Sequence, residues 1–229
     1  MGYDIDRYFR TTSEWIQEHR NEYHFHAPRG NGKTGEYIPA WNVLPGFTCT
    51  ACANRTCLRE GCYALKNALR AGYDPDRSSV LRAWCENTIA IMYHLPQWLH
   101  DMNQWLTENR PEEFRIHAAG DLQTLAYARA WFMLMVLHPE TRFLVFTKKW
   151  TALRTFPFFS LSNCSPVPSG WSGCEIPQDI AEGYHCAWCD DGKEDRIPGD
   201  AILCPGHCPE CKACWRLDEL KRDVRFIKH

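Results

Sequence analysis

The stretch FRIHAAGDLQTLAYARAWFMLMVLHPETRFLVFT, residues 114–147, decides the fold of this chain. Its pattern predicts a strand at residues 114–118, a helix at residues 124–137 and a second strand at residues 142–147. A connecting helix of this length can cross over a sheet, so the two strands should lie parallel. We therefore predict an α/β fold, in which ligands bind at the carboxyl ends of the strands.

Three short segments would stand at that edge of the sheet. Two of them are Gly120-Asp121 and Thr147-Lys148-Lys149. The third is Asn163-Cys164-Ser165, which follows a further strand predicted at residues 158–162. Asp121 is either a ligand-facing carboxylate or the cap of the helix that follows it. The two lysines either meet an anionic substrate or form a solvated strand end.

Differences in composition divide the chain into three predicted parts, the second of which contains this block. Residues 1–35 are polar and are predicted to form an N-terminal extension, and residues 36–165 would form the α/β core. Residues 166–229 are rich in Pro, Gly and Cys, and they show little hydrophobic periodicity. We expect metal ions to hold this last segment together more than a hydrophobic core does. Residues 215–229 are predicted to form a short mixed-charge helix.

Composition excludes several classes of protein. The chain has 229 residues, of which 45% are hydrophobic, and a formal net charge of −2. No stretch approaches the ~20 apolar residues of a transmembrane helix, so we predict no membrane partner. The opening sequence, MGYDIDRYFR, lacks the apolar region of an export signal, which indicates a cytoplasmic location. The near-neutral charge argues against binding to nucleic acid by bulk electrostatics.

Cysteine is the unusual feature, and it is distributed in two groups. Of the 13 cysteines, four lie between Cys49 and Cys62 and eight lie between Cys164 and Cys214. An odd count in a chain without an export signal does not fit a disulfide scaffold. The grouping favours metal binding over thiol chemistry. Cys85, between the two groups, is expected to pack in the core.

The first group comprises Cys49, Cys52, Cys57 and Cys62. It follows a predicted strand and a Pro-Gly turn, and its last member opens a predicted helix. Thiolates at such a junction converge readily, and a helix N-terminus favours their negative charge. Three thiolates in one loop suit an iron–sulfur cluster, whereas four suit zinc or a fully ligated cluster. Only one Cys-x2-Cys pair is present, whereas zinc ribbons prefer two.

The second group ends in a dense run that is typical of ferredoxin-type ligation. That run comprises Cys204, Cys208, Cys211 and Cys214. Upstream, Cys186 and Cys189 form a Cys-x2-Cys pair, which together with Cys204 and Cys208 would make a zinc site instead. We predict a metal site here, with an iron–sulfur cluster and zinc as the two alternatives.

Four features of the chain together resemble a known family. They are the TC…C…CYA loop at residues 48–64, RIHAAGD at 115–121, RFLVFTK at 142–148 and the final CP…C..C..CW at 204–215. In this order they are similar to the phage gene-product-eighty-eight family, small Cys-rich proteins of phages and mobile elements. The chain departs from the family pattern in two places. Thr50 stands where the family usually has Pro, and Cys52 is additional.

The layout of that family is similar to the radical S-adenosylmethionine (SAM) superfamily, which implies a partial (β/α) barrel of parallel strands. By this resemblance Cys49, Cys57 and Cys62 would hold a [4Fe–4S] cluster with one iron open to SAM. A reductant such as a flavodoxin or ferredoxin would supply one electron, and SAM would yield a 5′-deoxyadenosyl radical. The radical would modify a substrate, for example a nucleoside or nucleic acid in the cytoplasm of a phage host.

The same resemblance assigns roles at the carboxyl edge of the sheet. Gly120 would allow close approach of the backbone to SAM, and Asp121 would face the SAM ammonium group. Asn163 and Ser165 would line the same mouth. The C-terminal cysteines would then hold an auxiliary [4Fe–4S] cluster or a structural zinc ion.

Two other functions remain open at this point. A metal-stabilised regulator that binds nucleic acid or a protein is indicated by an aromatic and basic set near the C-terminus. That set comprises Lys212, Trp215, Arg216, Lys221, Arg222 and Arg225. Acidic neighbours such as Asp218 and Asp223 dilute its charge. A cluster-based electron carrier is the other alternative, although the α/β scaffold is large for that task.

Overall fold

The computed structural model describes residues 4–49, 56–70, 72–171, 173–190, 192 and 196–227. Within these residues the helices are α1 (Ile5–His19), α2 (Thr56–Gly61), α3 (Tyr63–Arg70), α4 (Ser79–Tyr93), α5 (Leu95–Asn109), α6 (Leu125–Leu137), α7 (Trp150–Thr155), α8 (Gln178–Ala181), α9 (Cys208–Cys211) and α10 (Leu217–Leu220). The strands are β1 (Arg29–Asn31), β2 (Gly35–Trp41), β3 (Glu113–Ile116), β4 (Arg142–Thr147), β5 (Cys164–Gly170), β6 (Ala187–Asp190), β7 (Ile202–Leu203) and β8 (Val224–Ile227). None of the described helices combines the length and apolarity needed to cross a membrane.

The eight described strands form one sheet in the order β1-β2-β3-β4-β5-β6-β8-β7. β1 is antiparallel to β2, and every other neighbouring pair is parallel. In the described chain the outer strands β1 and β7 each have one neighbour, so the sheet is open and is not closed into a barrel. The predicted α/β class is confirmed, with a sheet that is mostly parallel.

The central block at residues 114–147 folds as predicted. β3 and β4 pair in parallel, with Phe114 opposite Phe143 and Ile116 opposite Val145. Between them α6 begins after Thr124, whose side-chain oxygen accepts a hydrogen bond from the backbone N–H of Tyr127 at 3.1 Å. This bond satisfies one of the N–H groups that the start of a helix leaves unpaired.

Side chains alternate between the two faces of the sheet, and each face has its own core. On β4, Phe143 and Val145 join a core that includes side chains of α5, α6 and α7. Leu144 points to the opposite face and joins a smaller core with Trp215 and Leu217 of the C-terminal segment. Apolar packing therefore attaches this segment to the sheet, which its low hydrophobic periodicity did not indicate.

The three parts into which we divided the chain share one structure. β5 crosses the predicted boundary between residues 165 and 166, and it pairs with β4 on one side and β6 on the other. Helix α1, within the predicted N-terminal extension, buries Tyr8 and Ile16 in a third core together with Leu81 of α4. The described residues of all three parts are therefore integrated into one α/β unit.

Two predicted elements are wrong. Residues 158–162 do not form a strand, because a 3₁₀ helix occupies Phe158–Ser160 and the strand begins only at Cys164. Pro157 precedes that turn, and its fixed φ suits the start of a helical segment. Within residues 215–229, α10 lasts one turn and ends at Lys221, which has a φ of 54°. β8 follows, since its valine, phenylalanine and isoleucine favour a strand.

Candidate functional site

A cavity of about 230 Å³ lies at the carboxyl edge of the parallel strands. Residues that follow β3 and β4 form one part of its wall, and the loop that carries the first cysteine group forms another. Side chains on the sheet face that carries Leu144 complete the wall. They are Arg115, Phe146, Ser169, Cys189 and Phe226. Parallel α/β sheets bind their ligands at this edge.

Three cysteines of the first group line this cavity, namely Cys49, Cys57 and Cys62. The fourth, Cys52, lies outside the described residues. Several hydrogen bonds hold the loop that follows β2 in place. Leu44 N donates to Thr88 Oγ1 of α4 at 2.9 Å, and Thr48 Oγ1 donates to the Leu44 carbonyl at 2.9 Å. The cysteines of the family pattern thus border one cavity.

The environment of these thiols opposes ionisation in the metal-free protein. Burial raises the pKa of Cys49, and the nearby charge of Asp121 raises it further, whereas the Gly46 N–H lowers it. That N–H donates to Cys49 Sγ at 3.3 Å. Burial also raises the pKa of Cys62, although backbone N–H groups at the start of α3 partly offset the rise. The helix start therefore favours the Cys62 thiolate, as the sequence predicts.

The thiols do not converge on a single point. Across the described part of the chain, no three His, Cys, Asp or Glu side chains are arranged so that they could hold one metal ion. This statement covers both cysteine groups except Cys52. A single tetrahedral ion such as zinc needs its ligands to meet at one atom. The geometry of the described thiols therefore does not form a zinc site.

Asp121 ties two loops of the cavity together. Its Oδ1 accepts hydrogen bonds from Thr147 Oγ1 at 2.6 Å and from Leu122 N at 2.7 Å, and its Oδ2 accepts from Lys148 N at 2.9 Å. Burial raises the pKa of Asp121, and these hydrogen bonds lower it in part. The carboxylate thus accepts three hydrogen bonds from its neighbours while its residue lines the cavity. It does not cap α6, because Thr124 does.

Gly120 allows the loop after β3 to approach the loop after β2. Its φ is +85°, and a Cβ atom there would lie 2.4 Å from Val43 Cγ2 and 2.8 Å from Thr48 Oγ1. Val43 N also donates to the Ala119 carbonyl at 3.1 Å. Glycine is required here by the positive φ and by this close approach. Both requirements for glycine come from the conformation and packing of the chain and not from a ligand. Gly120 also borders the cavity.

Lys148 places a half-buried cation in the cavity wall. Its Nζ donates to Ser169 Oγ at 3.1 Å. Burial lowers the pKa of Lys148, but the negative charges of Cys57, Asp121 and further thiols outweigh it, so the pKa is raised. The side chain is therefore an ammonium at neutral pH. Lys149 instead donates its Nζ to the Gln123 carbonyl at 2.9 Å.

Asn163 and Ser165 stand at the other edge of the sheet, and their expected role is corrected. Because β5 begins at Cys164, both residues lie at its amino end. Asn163 Nδ2 faces three carbonyl oxygens, those of Met135 and His138 at 3.0 Å and that of Thr141 at 3.1 Å. Ser165 Oγ donates to the Trp215 carbonyl at 2.9 Å. These contacts hold β5 in place, and neither residue lines the cavity.

His117, which immediately follows β3, also borders the cavity. Its backbone has a φ of 61°, and its Nε2 lies 2.9 Å from the Tyr127 hydroxyl. Burial, with a smaller contribution from the charge of Arg115, lowers the pKa of His117 to about 3. Its Nδ1 is buried and has no hydrogen-bond partner in the part of the chain that the structure describes. The ring is therefore neutral at pH 7.

The dense C-terminal cysteines lie close to one another and next to the cavity wall. Burial raises the pKa of Cys214 to about 12, and the charges of Cys204, Cys208 and Cys211 contribute. Arg115, which lines the cavity, has its Nη1 4.0 Å from Cys208 Sγ. These thiols therefore stand behind the part of the wall that Arg115 forms.

The alternative zinc set is not brought together. Cys186 lies in the core covered by α5, α6 and α7, whereas Cys204 and Cys208 pack against the core on the opposite face. Cys189 points into the cavity. The strand alternation of β6 separates the two members of the Cys-x2-Cys pair, because residues three apart on a strand point to opposite faces.

Comparison with known proteins assigns the family. The model of the family described as gene product 88 matches residues 18–217. The chain belongs to the gene product 88 family. The resemblance drawn from the sequence motifs is thus confirmed, and the match includes both cysteine groups. No curated protein and no solved structure matches the chain.

In this gene product 88 protein the C-terminal basic residues are largely paired with acids. Lys212 Nζ lies 2.7 Å from Glu113, Arg216 Nε lies 2.8 Å from Glu219, and Arg225 Nη1 lies 3.6 Å from Asp190. Arg222 donates to the Asp200 carbonyl. Trp215 is buried, so its ring does not offer a stacking surface. The set therefore lacks the exposed aromatic ring on which a base of single-stranded nucleic acid would stack, although Arg216, Lys221 and Arg222 are exposed.

Proposed function

We propose that this protein is an iron–sulfur enzyme of the radical SAM type, in which Cys49, Cys57 and Cys62 bind a [4Fe–4S] cluster. The observation that carries the proposal is that these three thiols line one cavity at the carboxyl edge of a mostly parallel sheet. A partial (β/α) barrel is the corresponding proposal for the architecture. The open, mostly parallel sheet, with the longer helices α5 and α6 packed on one face, supports it.

The donor set fits a cluster better than a single ion. In a cluster each thiolate binds a different iron, so the sulfurs surround a volume and need not meet at one point. The described thiols border a common cavity without forming a one-ion site. Three thiols would also leave one iron of a four-iron cluster without a protein ligand. This is the arrangement that binding of SAM to the cluster requires.

The residues around the thiols would stabilise them as ligands. Metal binding requires loss of the thiol protons, which burial of Cys49 and Cys62 opposes. The N–H of Gly46 and the start of α3 favour the thiolate forms. The ammonium of Lys148 adds a positive charge in the same wall. Together these groups offset part of the cost of collecting negative charge in a buried place.

Bound there, a [4Fe–4S] cluster and SAM would supply one-electron cleavage of SAM to a 5′-deoxyadenosyl radical. The protein would contribute orientation and exclusion of water. The Asp121 hydrogen bonds fix the loop after β3 relative to the start of α7, and Gly120 lets this loop pack against the cysteine loop. His117 presents a neutral ring to the cavity. A flavodoxin or ferredoxin would serve as reductant, and the C-terminal cysteines would hold an auxiliary cluster.

The first test measures iron and sulfide in full-length protein purified and reconstituted without oxygen. We expect about four irons per chain at the first site, or about eight if the C-terminal cysteines also hold a four-iron cluster. Addition of SAM and dithionite should release 5′-deoxyadenosine, measured by liquid chromatography. Cys49→Ala, Cys57→Ala and Cys62→Ala should each lower iron by about one cluster and abolish this product.

Cys85→Ala provides the matched control, because Cys85 is buried on α4 and does not line the cavity. It should retain both iron and product. A protein that binds zinc and no iron would contradict the proposal. So would a full cluster on the three cysteines without any cleavage of SAM, in which case an electron carrier would be the better description.

A further inference from the structure

Part of the cavity wall carries two cations that each stand over an aromatic ring. Lys33 Nζ lies 4.8 Å from the centre of the Phe226 ring, and Arg115 Cζ lies 5.0 Å from the centre of the Phe146 ring. The two rings contact each other edge to face, with centres 5.7 Å apart. We call these four residues the cation wall. All four line the cavity.

Arg115 has hydrogen-bonding capacity that the protein does not use. The residue is only 6% exposed, and its buried Nε has no hydrogen-bond partner among the described residues. Its hydrogen bond to the described part of the chain is long, 4.0 Å from Nη1 to Cys208 Sγ. Leaving a buried charged donor unpaired costs more than leaving a neutral one. A guanidinium in this state, at the surface of a cavity, indicates a ligand that accepts its hydrogen bonds.

Positive charge predominates among the described residues that line the cavity. Lys33, Arg115 and Lys148 contribute three cations. Asp121 is the only carboxylate among the described lining residues, and Thr147, Leu122 and Lys148 already donate to it. Two separate cations on one wall suit a dianion better than a single negative charge. The planar fork of arginine also matches the oxygens of a phosphate.

We infer that the cavity binds its substrate through a phosphate group, with Arg115 as the fork and Lys33 as the second cation. The inference rests on the proposed function in that it places this phosphate on the substrate of the thiol-lined cavity. The phenyl rings hold the two cations in position, since a cation over a ring is attracted by its electron-rich face. The substrate class is therefore a phosphorylated compound.

Another reading is that the two cations serve only the C-terminal thiols. Arg115 and Lys33 lower the pKa of Cys208, whose burial raises it. This role accounts for the charge of Arg115 but leaves its Nε without a partner. The two readings differ in a measurable way, because only the phosphate site requires the arginine fork.

The experiment titrates inorganic phosphate into metal-free full-length protein, followed by calorimetry at low ionic strength in an uncharged or cationic buffer. We expect saturable binding that acetate does not match. Arg115→Gln should weaken it at least tenfold, and Arg115→Lys should weaken it severalfold, because lysine keeps the charge but loses the fork. Lys33→Gln should also weaken it severalfold, and as a half-buried position it keeps the test independent of a failure of Arg115 variants to fold.

Arg129→Gln is the matched control, because Arg129 is exposed on α6 and does not line the cavity. It should leave phosphate binding unchanged. Absence of binding, equal binding of acetate, or binding unaffected by Arg115→Gln and Lys33→Gln would overturn the inference. The readout needs neither iron nor SAM. Phosphate binding without SAM cleavage would therefore contradict the proposed function alone, and SAM cleavage without phosphate binding would contradict this inference alone.

Discussion

Asp121 Oδ1 lies 2.6 Å from Thr147 Oγ1, and this hydrogen bond joins the end of β3 to the end of β4 below the cavity. Both side chains are buried, with exposed fractions of 5% and 1%. A buried polar contact of this kind stabilises chiefly because breaking it leaves unsatisfied groups. The pair thus determines how the two loops that flank the cavity stand relative to each other.

Replacing Asp121 by Asn should therefore destabilise the fold. An amide would turn a donor toward groups that also donate, so we expect a loss of about 1–3 kcal/mol in the free energy of unfolding, measured in urea. Thr147→Val should cost about 1 kcal/mol, and the double variant should lose less than the sum. Asp218→Asn, at an exposed position, is the control. Equal stability of the two Asp variants would show that the contact does not matter.

His117 should make the stability of the protein depend on pH. Its folded pKa of about 3 lies below its usual value of 6.5. The neutral ring therefore contributes stability above pH 6.5, and this contribution is lost as the pH falls toward 3. Relative to His117→Gln, the wild type should lose about 1.4 kcal/mol per pH unit between pH 6 and pH 4. The exposed His24, replaced by Gln, should leave the slope of the wild type unchanged.

Comparing Gly120→Ala with Gly72→Ala should separate the free-energy cost of backbone strain at positive φ from the cost of a steric clash. Gly72 has a similar positive φ of +63°, but no atom of the described residues lies within 4 Å of its would-be Cβ, so Gly72→Ala incurs only backbone strain of about 1 kcal/mol. Gly120→Ala adds a clash with Val43 and should cost about 1–3 kcal/mol more. Thermal unfolding of both variants gives the comparison. A Val43→Ala exchange should recover part of the difference, and equal costs at the two glycines would exclude the clash.

Asn163→Ala should reduce stability without touching the cavity. It removes the donor that three backbone carbonyls share, so we expect a loss of about 1–3 kcal/mol in urea unfolding. Iron content and phosphate binding of the folded variant should equal those of the wild type. Asn109→Ala, at an exposed helix end, should cost well under 1 kcal/mol. Loss of iron in a folded Asn163→Ala variant would contradict this prediction and would show that Asn163 contributes to the metal site.

Lys148 should matter for cluster binding more than its neighbour does. Lys148→Met removes the half-buried charge beside the cysteine loop, so iron content after reconstitution should fall severalfold. Lys149→Met is the matched control, because the Lys149 ammonium donates to a backbone carbonyl near the start of α6. Similar iron contents in the two variants would show that the half-buried charge does not support the cluster.

The predictable part of the fold was the part specified by local sequence. The strand-helix-strand block at residues 114–147 carries its own signal, namely apolar periodicity that changes from strand to helix and back. The C-terminal strands carry no comparable signal. β6 and β8 have four residues each, and they pair across an interval that contains β7 and two short helices. Contacts of this kind depend on packing in three dimensions.

The candidate site divides in the same way. The cysteines could be found because a thiol group is a chemical signal in itself, whatever the fold around it. Asn163 was misplaced because the strand was predicted to start at Phe158 and not at Cys164. The prediction therefore placed Asn163 at the carboxyl end of a strand, whereas it lies at the amino end of β5. The cation wall could not be predicted, since Lys33 and Arg115 lie on distant segments that only the sheet brings together.

The strand order also constrains the time course of folding. β8 follows β6 and β7 in the chain, yet it lies between them and pairs with both. During synthesis, this side of the sheet therefore stays incomplete until residues 224–227 have left the ribosome. Until then β6 presents an unpaired backbone edge, which is a template for association with other chains. Nascent or shortened chains that stop before β8 should accordingly be the forms most dependent on chaperones.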